Sequence, residues 1–367
     1  MSWYRLANIH EVTSPALLIY PARVEENLRR MIKIAGGAAR LRPHMKTHKL
    51  PEIIRLQLAL GITKFKCSTI AECEMVAGCG APDVLLAYPP VGPNIDRLLE
   101  LVKFFPGTAF STLGDDAAAI RALAGKFADA NLTLEVFLDI DCGMHRSGIE
   151  PGPAAIELYR LLTASPGVKP GGLHVYDGHI HDHDLATRTA VCETAYAPAH
   201  TLRQQLLQAG LPVPRVIAGG TPTFPIHARR TDVECSPGTC VLWDAGYGTK
   251  VPDLDFLPAA LLLTRVVSKP GGQRLCLDLG HKAVAAEKPH PRVIFPDLPD
   301  AKAVTHSEEH LVIETARAQE FSVGDALYGI PWHICPTVAL HSEAFVVQEE
   351  RAVTRWKITA RARRLTI

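Results

Sequence analysis

The sequence predicts a (β/α)8 TIM-type barrel followed by a C-terminal, mostly antiparallel β domain. Three observations predict it. Short apolar strands alternate with helical patterns over the first two-thirds of the chain. The alternation repeats about eight times, the number a closed β/α barrel needs. After about Tyr247 the pattern changes to short strand-like segments separated by Gly, Pro or charged turns.

The candidate barrel strands are Ala16–Tyr20, Ala39–His44, Lys64–Ser68, Asp83–Tyr88, Thr108–Leu113, Thr133–Ile140, Gly171–Tyr176 and Arg215–Gly219. Between them lie stretches with apolar residues at helical spacing, such as Val24–Ile34, Pro51–Leu60, Ala71–Ala77 and Ala117–Phe127. An open doubly wound sheet is the alternative, because periodicity does not prove closure. The later strand-like segments are Ala259–Val267, Arg274–Asp278, His310–Glu314, Ala344–Gln348 and Val353–Ile358. The expected domains are residues 1–248 for the barrel and 249–367 for the β domain. The first ~20 residues are a segment that can join the β domain.

Composition narrows the partners. The 367 residues carry 39 basic and 38 acidic side chains, a net charge of +1. That balance removes the electrostatic case for nucleic acid or an anionic membrane. No apolar run reaches the ~18 residues a bilayer span needs. The N-terminal MSWYRLANIHEVTSPA has charge and no apolar signal-type core, so a cytoplasmic protein is expected. Nine scattered cysteines do not read as a disulfide framework.

Five segments carry chemistry. Arg42-Pro43-His44-Met45-Lys46-Thr47-His48-Lys49 follows a predicted strand, at the barrel's C-terminal mouth, where a lysine can condense with a carbonyl cofactor. Asp139 to Gly148 follows another strand, and its Arg146 offers a planar donor for a phenolate or carboxylate. Gly219-Gly220-Thr221 lets backbone N–H groups converge on a phosphate monoester. Tyr176 to Asp184 holds three histidines and three aspartates, suited to substrate or cofactor contact or to a metal. In Pro331 to Thr337, His333 and Cys335 sit at i and i+2. On an extended segment they would point the same way and grip one ion, zinc by ligand type. Each has an ordinary alternative when taken alone: a basic loop, a self-neutralising Asp–Arg loop, a turn, a solvated loop, a buried cysteine beside a histidine.

Taken in order, these segments resemble the D-threonine aldolase / D-serine dehydratase family of alanine-racemase-like pyridoxal-phosphate (PLP) enzymes. The resemblance runs over nearly the whole chain. It implies that Lys46, rather than Lys49, carries PLP, and that Arg146 approaches the cofactor's phenolic oxygen. Gly219, Gly220 and Thr221 match the phosphate turn, and Tyr176 and Tyr247 are implied as further cofactor contacts. His179, in the Tyr176 to Asp184 loop, is a candidate catalytic residue, and His333 and Cys335 match a His-x-Cys metal pair. Ser236 to Thr239, Asp244 to Tyr247, Asp278 to Lys282 and Ser307 to His310 resemble further family segments. Tyr176-Asp177-Gly178-His179 departs from the Tyr-His-Gly turn familiar in the aldolases, which leaves the substrate side chain open.

The implied activity is a lyase for β-hydroxy-D-amino acids that uses PLP and a divalent metal, with zinc favoured and Mn or Mg as alternatives. Retro-aldol cleavage to glycine and an aldehyde is the first expectation. The alternatives are dehydration of D-serine or D-3-hydroxyaspartate to a keto acid and ammonia, and amino-acid racemisation. The partner is a small molecule, and the expected assembly is a homodimer.

Overall fold

The structure, a computed structural model, describes residues 2–367. The chain divides into two compact units. One comprises residues 31–46, 54–238 and 362–367. The other comprises residues 2–30, 47–53 and 239–361.

The strands are, in chain order, β1 (Ala16–Ile19), β2 (Lys64–Cys67), β3 (Asp83–Leu86), β4 (Ala109–Gly114), β5 (Leu134–Ile140), β6 (Val168–Val175), β7 (Arg215–Ala218) and β8 (Glu234–Cys235), then those of the C-terminal region. Strands β2 to β8 form one parallel sheet in sequence order. Its two edges meet through residues 41–44. Leu41 bridges Cys235 of β8, and His44 bridges Lys66 of β2, both in parallel sense. The Arg42 N–H donates to the Cys235 carbonyl at 2.8 Å, and the Lys66 N–H to the Pro43 carbonyl at 2.9 Å. Residues 41–44 therefore take the place of the eighth strand. The expected Ala39–His44 strand is shorter than its sequence suggested, since Ala38–Arg40 is a 3-10 turn.

Alternation along β2 to β8 layers the barrel interior. At the N-terminal ends the interior is ionic. Arg42, fully buried, makes a two-pronged contact with Asp83 at 2.6 and 2.9 Å and a third bond to Glu234 at 2.8 Å. Arg215 joins Asp83 at 3.1 Å, and Lys64 joins Glu234 at 2.6 Å. Above this lies an apolar layer of Leu85, Leu113, Phe137 and Ile217. Toward the strands' C-terminal ends the interior turns polar again, with Lys66, Asp139 and His174 buried.

The other unit is built on a second, mostly antiparallel sheet. Its strands after β8 are β9 (Ala260–Ser268), β10 (Arg274–Leu277), β11 (Val293–Ile294), β12 (Lys302–His306), β13 (Leu311–Glu314), β14 (Ala326–Pro331), β15 (Glu343–Gln348) and β16 (Arg351–Lys357). The order is β12-β13-β10-β9-β1-β15-β16, with β14 also on β9 and β11 on β14. Strand β1, expected among the barrel strands, lies here: antiparallel to β9 and parallel to β15. All four of its residues are buried, and Ala16 and Leu18 pack with Leu261, Leu263 and Tyr328. A wholly apolar strand satisfies the centre of either sheet, so the segment's composition did not choose between them. Among the described residues, no helix is long and apolar enough to cross a membrane. Among the described residues, no disulfide joins any of the cysteines.

Burial alone would raise the carboxyls of Asp83 and Glu234. The Arg42 guanidinium, aided by Lys64, overcomes it and holds both below the usual carboxylate range. A depressed folded pKa gives stability that is full above about pH 4.5 and drains away as pH falls through the folded values. Arg42→Ala is expected to cost about 3–5 kcal/mol, because it strands buried carboxylates. It is also expected to flatten the acid limb of the stability profile. Urea denaturation from pH 3 to 7 checks both.

Candidate active site

Lys46 follows the closing segment directly, in a 3-10 turn over Met45–Thr47. Its Nζ lies 5.7 Å from the centre of the Tyr176 ring. Arg146 Cζ lies 4.8 Å from the same centre, and Lys66 Nζ lies 5.4 Å from it. Three cations thus gather on one aromatic ring, whose electron-rich face attracts them. Tyr176 follows β6, Arg146 follows β5 and Lys66 is in β2, so the barrel's C-terminal ends bring them together.

Gly219 and Gly220 follow β7. Gly219 has φ +81°, and a Cβ there would meet His227 at 2.6 Å. A Cβ on Gly220 would meet the Tyr176 ring at 3.1 Å. Gly219 is thus required by its positive φ and its approach to His227, and Gly220 lets the turn lie close to Tyr176. The Gly219 N–H donates to the Val175 carbonyl at 3.0 Å, and the Gly220 N–H to Thr223 Oγ1 at 3.2 Å. Thr221 is buried and its Oγ1 accepts the Gly238 N–H at 3.2 Å. The turn is thus braced from within.

Asp177 supplies the brace. It is buried, takes the Thr223 hydroxyl on Oδ1 at 2.8 Å and holds His227 Nε2 on Oδ2 at 2.7 Å. Burial would raise its carboxyl, but His227 and Thr223 together hold it low. Cys192 Sγ lies 3.5 Å from His227 Nε2, so Asp177, Cys192 and His227 form a compact trio of metal-type donors. Their Asp–His separation is that of a hydrogen bond, and the trio reads as the brace of the phosphate-type turn. The rest of the His/Asp-rich loop does not gather: His181, His183 and Asp184 are exposed, and Asp184 caps the helix Leu185–Gln208.

His179 lies beside Gly143 of the Arg146 loop, where a Cβ would meet its Nε2 at 3.3 Å. Its Nδ1 is buried with no hydrogen-bond partner among the described residues. Asp139 holds His174 Nδ1 at 2.7 Å and accepts the Ser147 hydroxyl at 3.0 Å. Burial pushes His174 below the usual imidazole range, against the pull of Asp139.

In the other unit, His333 and Cys335 meet, but not as an extended pair. His333 is the N-cap of the helix Ile334–Leu340, and Cys335 lies in its first turn. The non-helical backbone of an N-cap lets its side chain lie over that turn. Burial would lower the His333 imidazole. Bonding to Cys335 and Glu287, with the Asp244 charge, outweighs this and lifts it to about 9. Glu287 binds His333 Nδ1, which leaves Nε2 as the metal-type donor, the usual outer arrangement of an imidazole ligand. Cys335 Sγ also approaches the hydroxyls of Thr47 at 3.3 Å and Thr239 at 3.5 Å. Asp244 accepts the Ile334 N–H at 3.0 Å and the Tyr247 N–H at 2.8 Å, and burial lifts its carboxyl to about 6. Tyr247 stacks on Trp243 at 5.7 Å.

The residues fit the two implied groups. An amine at Lys46 beside two further cations, an aromatic wall and a glycine turn suits a planar aldehyde bearing oxyanions. An imidazole and a thiol, with a carboxylate fixing the imidazole's tautomer, suit a zinc-type ion. Lys66, Asp139, His174, Asp177 and Glu287 were not picked out individually as site residues from sequence. The available signal for Lys66 was its alternation with Lys64 in a predicted barrel strand, where a lysine occupies an interior position.

Asp177→Asn is expected to lower stability by about 1.5–3 kcal/mol, since it weakens two charge-assisted bonds. Urea denaturation reads the loss, and a change below about 0.5 kcal/mol, the range of ordinary surface substitutions, would contradict the brace.

Comparison with known proteins bears on both units. Residues 19–244 match the alanine racemase N-terminal domain, and residues 259–347 match a serine dehydratase domain. D-threonine aldolase of an Arthrobacter species is 30% identical over 356 residues, spanning 95% of this chain and 93% of the aldolase. The crystal structure of D-threonine aldolase from Filomicrobium marinum matches with a TM-score of 0.89 at 27% identity, covering 96% of each chain. D-threo-3-hydroxyaspartate dehydratase from Delftia sp. HT23 matches with a TM-score of 0.84 at 25% identity, over 94% of this chain and 97% of that one. The chain belongs to the family defined by the alanine racemase N-terminal domain, among the relatives of D-threonine aldolase.

Proposed function

We propose that this chain is a PLP- and metal-dependent lyase that splits β-hydroxy-D-amino acids into glycine and an aldehyde. The observation that carries the reading is the gathering of Lys46, Arg146 and Lys66 on Tyr176 at the mouth of a barrel whose relatives include D-threonine aldolase. Lys46 would hold the cofactor, with Arg146, Tyr176, Gly219, Gly220, Thr221 and Tyr247 as its further contacts. His333 and Cys335 would hold the metal, zinc by the softness of the thiolate, with Mn or Mg as the alternatives. A homodimer is part of this reading.

Bound PLP supplies an electron sink for the charge left at Cα when a bond to it breaks. A bound divalent ion supplies a Lewis acid that lowers the pKa of a substrate hydroxyl. The remaining work is the chain's own. His179 Nδ1, buried without a partner, is the nitrogen suited to take the β-hydroxyl proton. As that proton leaves, the Cα–Cβ bond breaks and Cβ departs as the aldehyde carbon. Lys46 Nζ then delivers a proton to Cα, completing glycine. Asp177 keeps the Gly219–Gly220 turn in place throughout, by way of Thr223 and His227.

Dehydration is the second reading, favoured by the match to the Delftia dehydratase across nearly the whole chain. Product analysis separates the two. D-threonine is expected to give glycine and acetaldehyde, with L-threonine inert. Keto acid and ammonia from D-serine or D-3-hydroxyaspartate, with no glycine, would replace the aldolase reading with the dehydratase. His179→Asn is expected to lower kcat for cleavage by about 100-fold or more, the usual contribution of a general base. A chelator is expected to abolish turnover. Racemisation that survives the chelator would overturn both lyase readings.

A further inference from the structure

Lys66 is 2% exposed, on the interior side of β2 near the barrel's C-terminal end. Among the described residues, no carboxylate lies within ion-pair distance of its ammonium. Its two acidic neighbours are committed elsewhere. Asp139 is taken up by His174 and Ser147, and Asp177 by His227 and Thr223. Beside it also stand two cations, Lys46 and Arg146, and the face of Tyr176, with His174 within electrostatic reach. Burial, with the Lys46 charge beside it, pushes the Lys66 ammonium down to about 7, against the pull of Asp139 and Asp177. A buried cation without a counter-charge is unfavourable for folding. By contrast, the buried Arg42 is paired directly with both Asp83 and Glu234. The missing negative charge at Lys66 is what a ligand can bring.

We propose that Lys66 is a cofactor-contacting residue whose ammonium meets the phenolate edge of bound PLP. The inference rests on Lys46 as the PLP lysine. In PLP the phenolate oxygen sits on the ring carbon next to the one bearing the aldehyde. The oxyanion nearest the Lys46 attachment point is therefore that phenolate, whereas the phosphate hangs on a longer arm. Lys66 and Lys46 approach the same tyrosine ring, and their charges act on each other, so the oxyanion beside an aldehyde held at Lys46 is the one Lys66 would meet.

The test is Lys66→Met in the full chain, with cofactor removed and PLP or pyridoxal titrated back. Uptake is followed by tryptophan fluorescence and by the visible absorbance of bound cofactor. Methionine keeps the length of the side chain and removes the charge. The variant apoprotein is therefore expected to melt at or above the wild-type temperature. Its dissociation constant is expected to rise about 10- to 100-fold, as for a lost charge-assisted contact. The factor should be the same for PLP and for pyridoxal, which lacks the phosphate, and the absorbance maximum should shift.

Affinity within about threefold of wild type, with an unmoved absorbance band, would overturn the proposal. A loss seen only with PLP would place the ammonium at the phosphate and overturn it. Unchanged cofactor affinity with a raised KM for the amino acid would assign the charge to substrate and overturn it. A markedly less stable variant apoprotein would make Lys66 a structural residue and would likewise overturn the proposal. Failure of the wild-type chain to take up PLP at all would instead sink the underlying reading of Lys46.

Discussion

Arg42 has no exposed surface, and its guanidinium is held by Asp83 on one side and Glu234 on the other. Those two acids begin β3, next to the edge strand on one side of the parallel sheet, and β8, the edge strand on the other. The ion pairs therefore do what the short segment 41–44 can do only weakly with two isolated backbone bridges: they tie the two sheet edges into a closed barrel. Lys46 stands four residues further along the chain. Its position on the Tyr176 ring depends on a closure made at the other end of the barrel.

The interior is built in layers for the same reason. An ionic layer at the N-terminal ends closes the sheet, and an apolar layer of Leu85, Leu113, Phe137 and Ile217 separates it from the polar groups above. The lower charges are mutually satisfied and structural. The upper ones are partly unmatched, with three cations around one tyrosine and a histidine nitrogen lacking a partner. Unmatched buried charge costs stability, and proteins keep it where a ligand will use it.

Much of this was legible in the sequence. Strand–helix alternation gave the parallel architecture, and the position of Lys46 after a strand gave the mouth. The rest was hidden for physical reasons. The strand Ala16–Ile19 is apolar on both faces, so its pattern fits either sheet equally well. Strand Glu234–Cys235 is two residues long, too short for any periodic signal. His333 and Cys335 were paired by assuming an extended backbone. The side chains do meet, but because an N-cap precedes a helical turn. In Lys64-Phe65-Lys66-Cys67 the lysines alternate with buried apolar residues, a pattern that marks one face of the strand without naming the side it meets. In a closed barrel that face is the inside.

The proposed chemistry depends first on Lys46 holding the cofactor. The direct measurement is borohydride reduction of the PLP-loaded protein, followed by proteolysis and mass mapping of the modified lysine. The pyridoxyl label is expected on Lys46, with Lys49 and Lys66 unmodified. A label on Lys49 or Lys66, or a reduced protein that carries none, would contradict it.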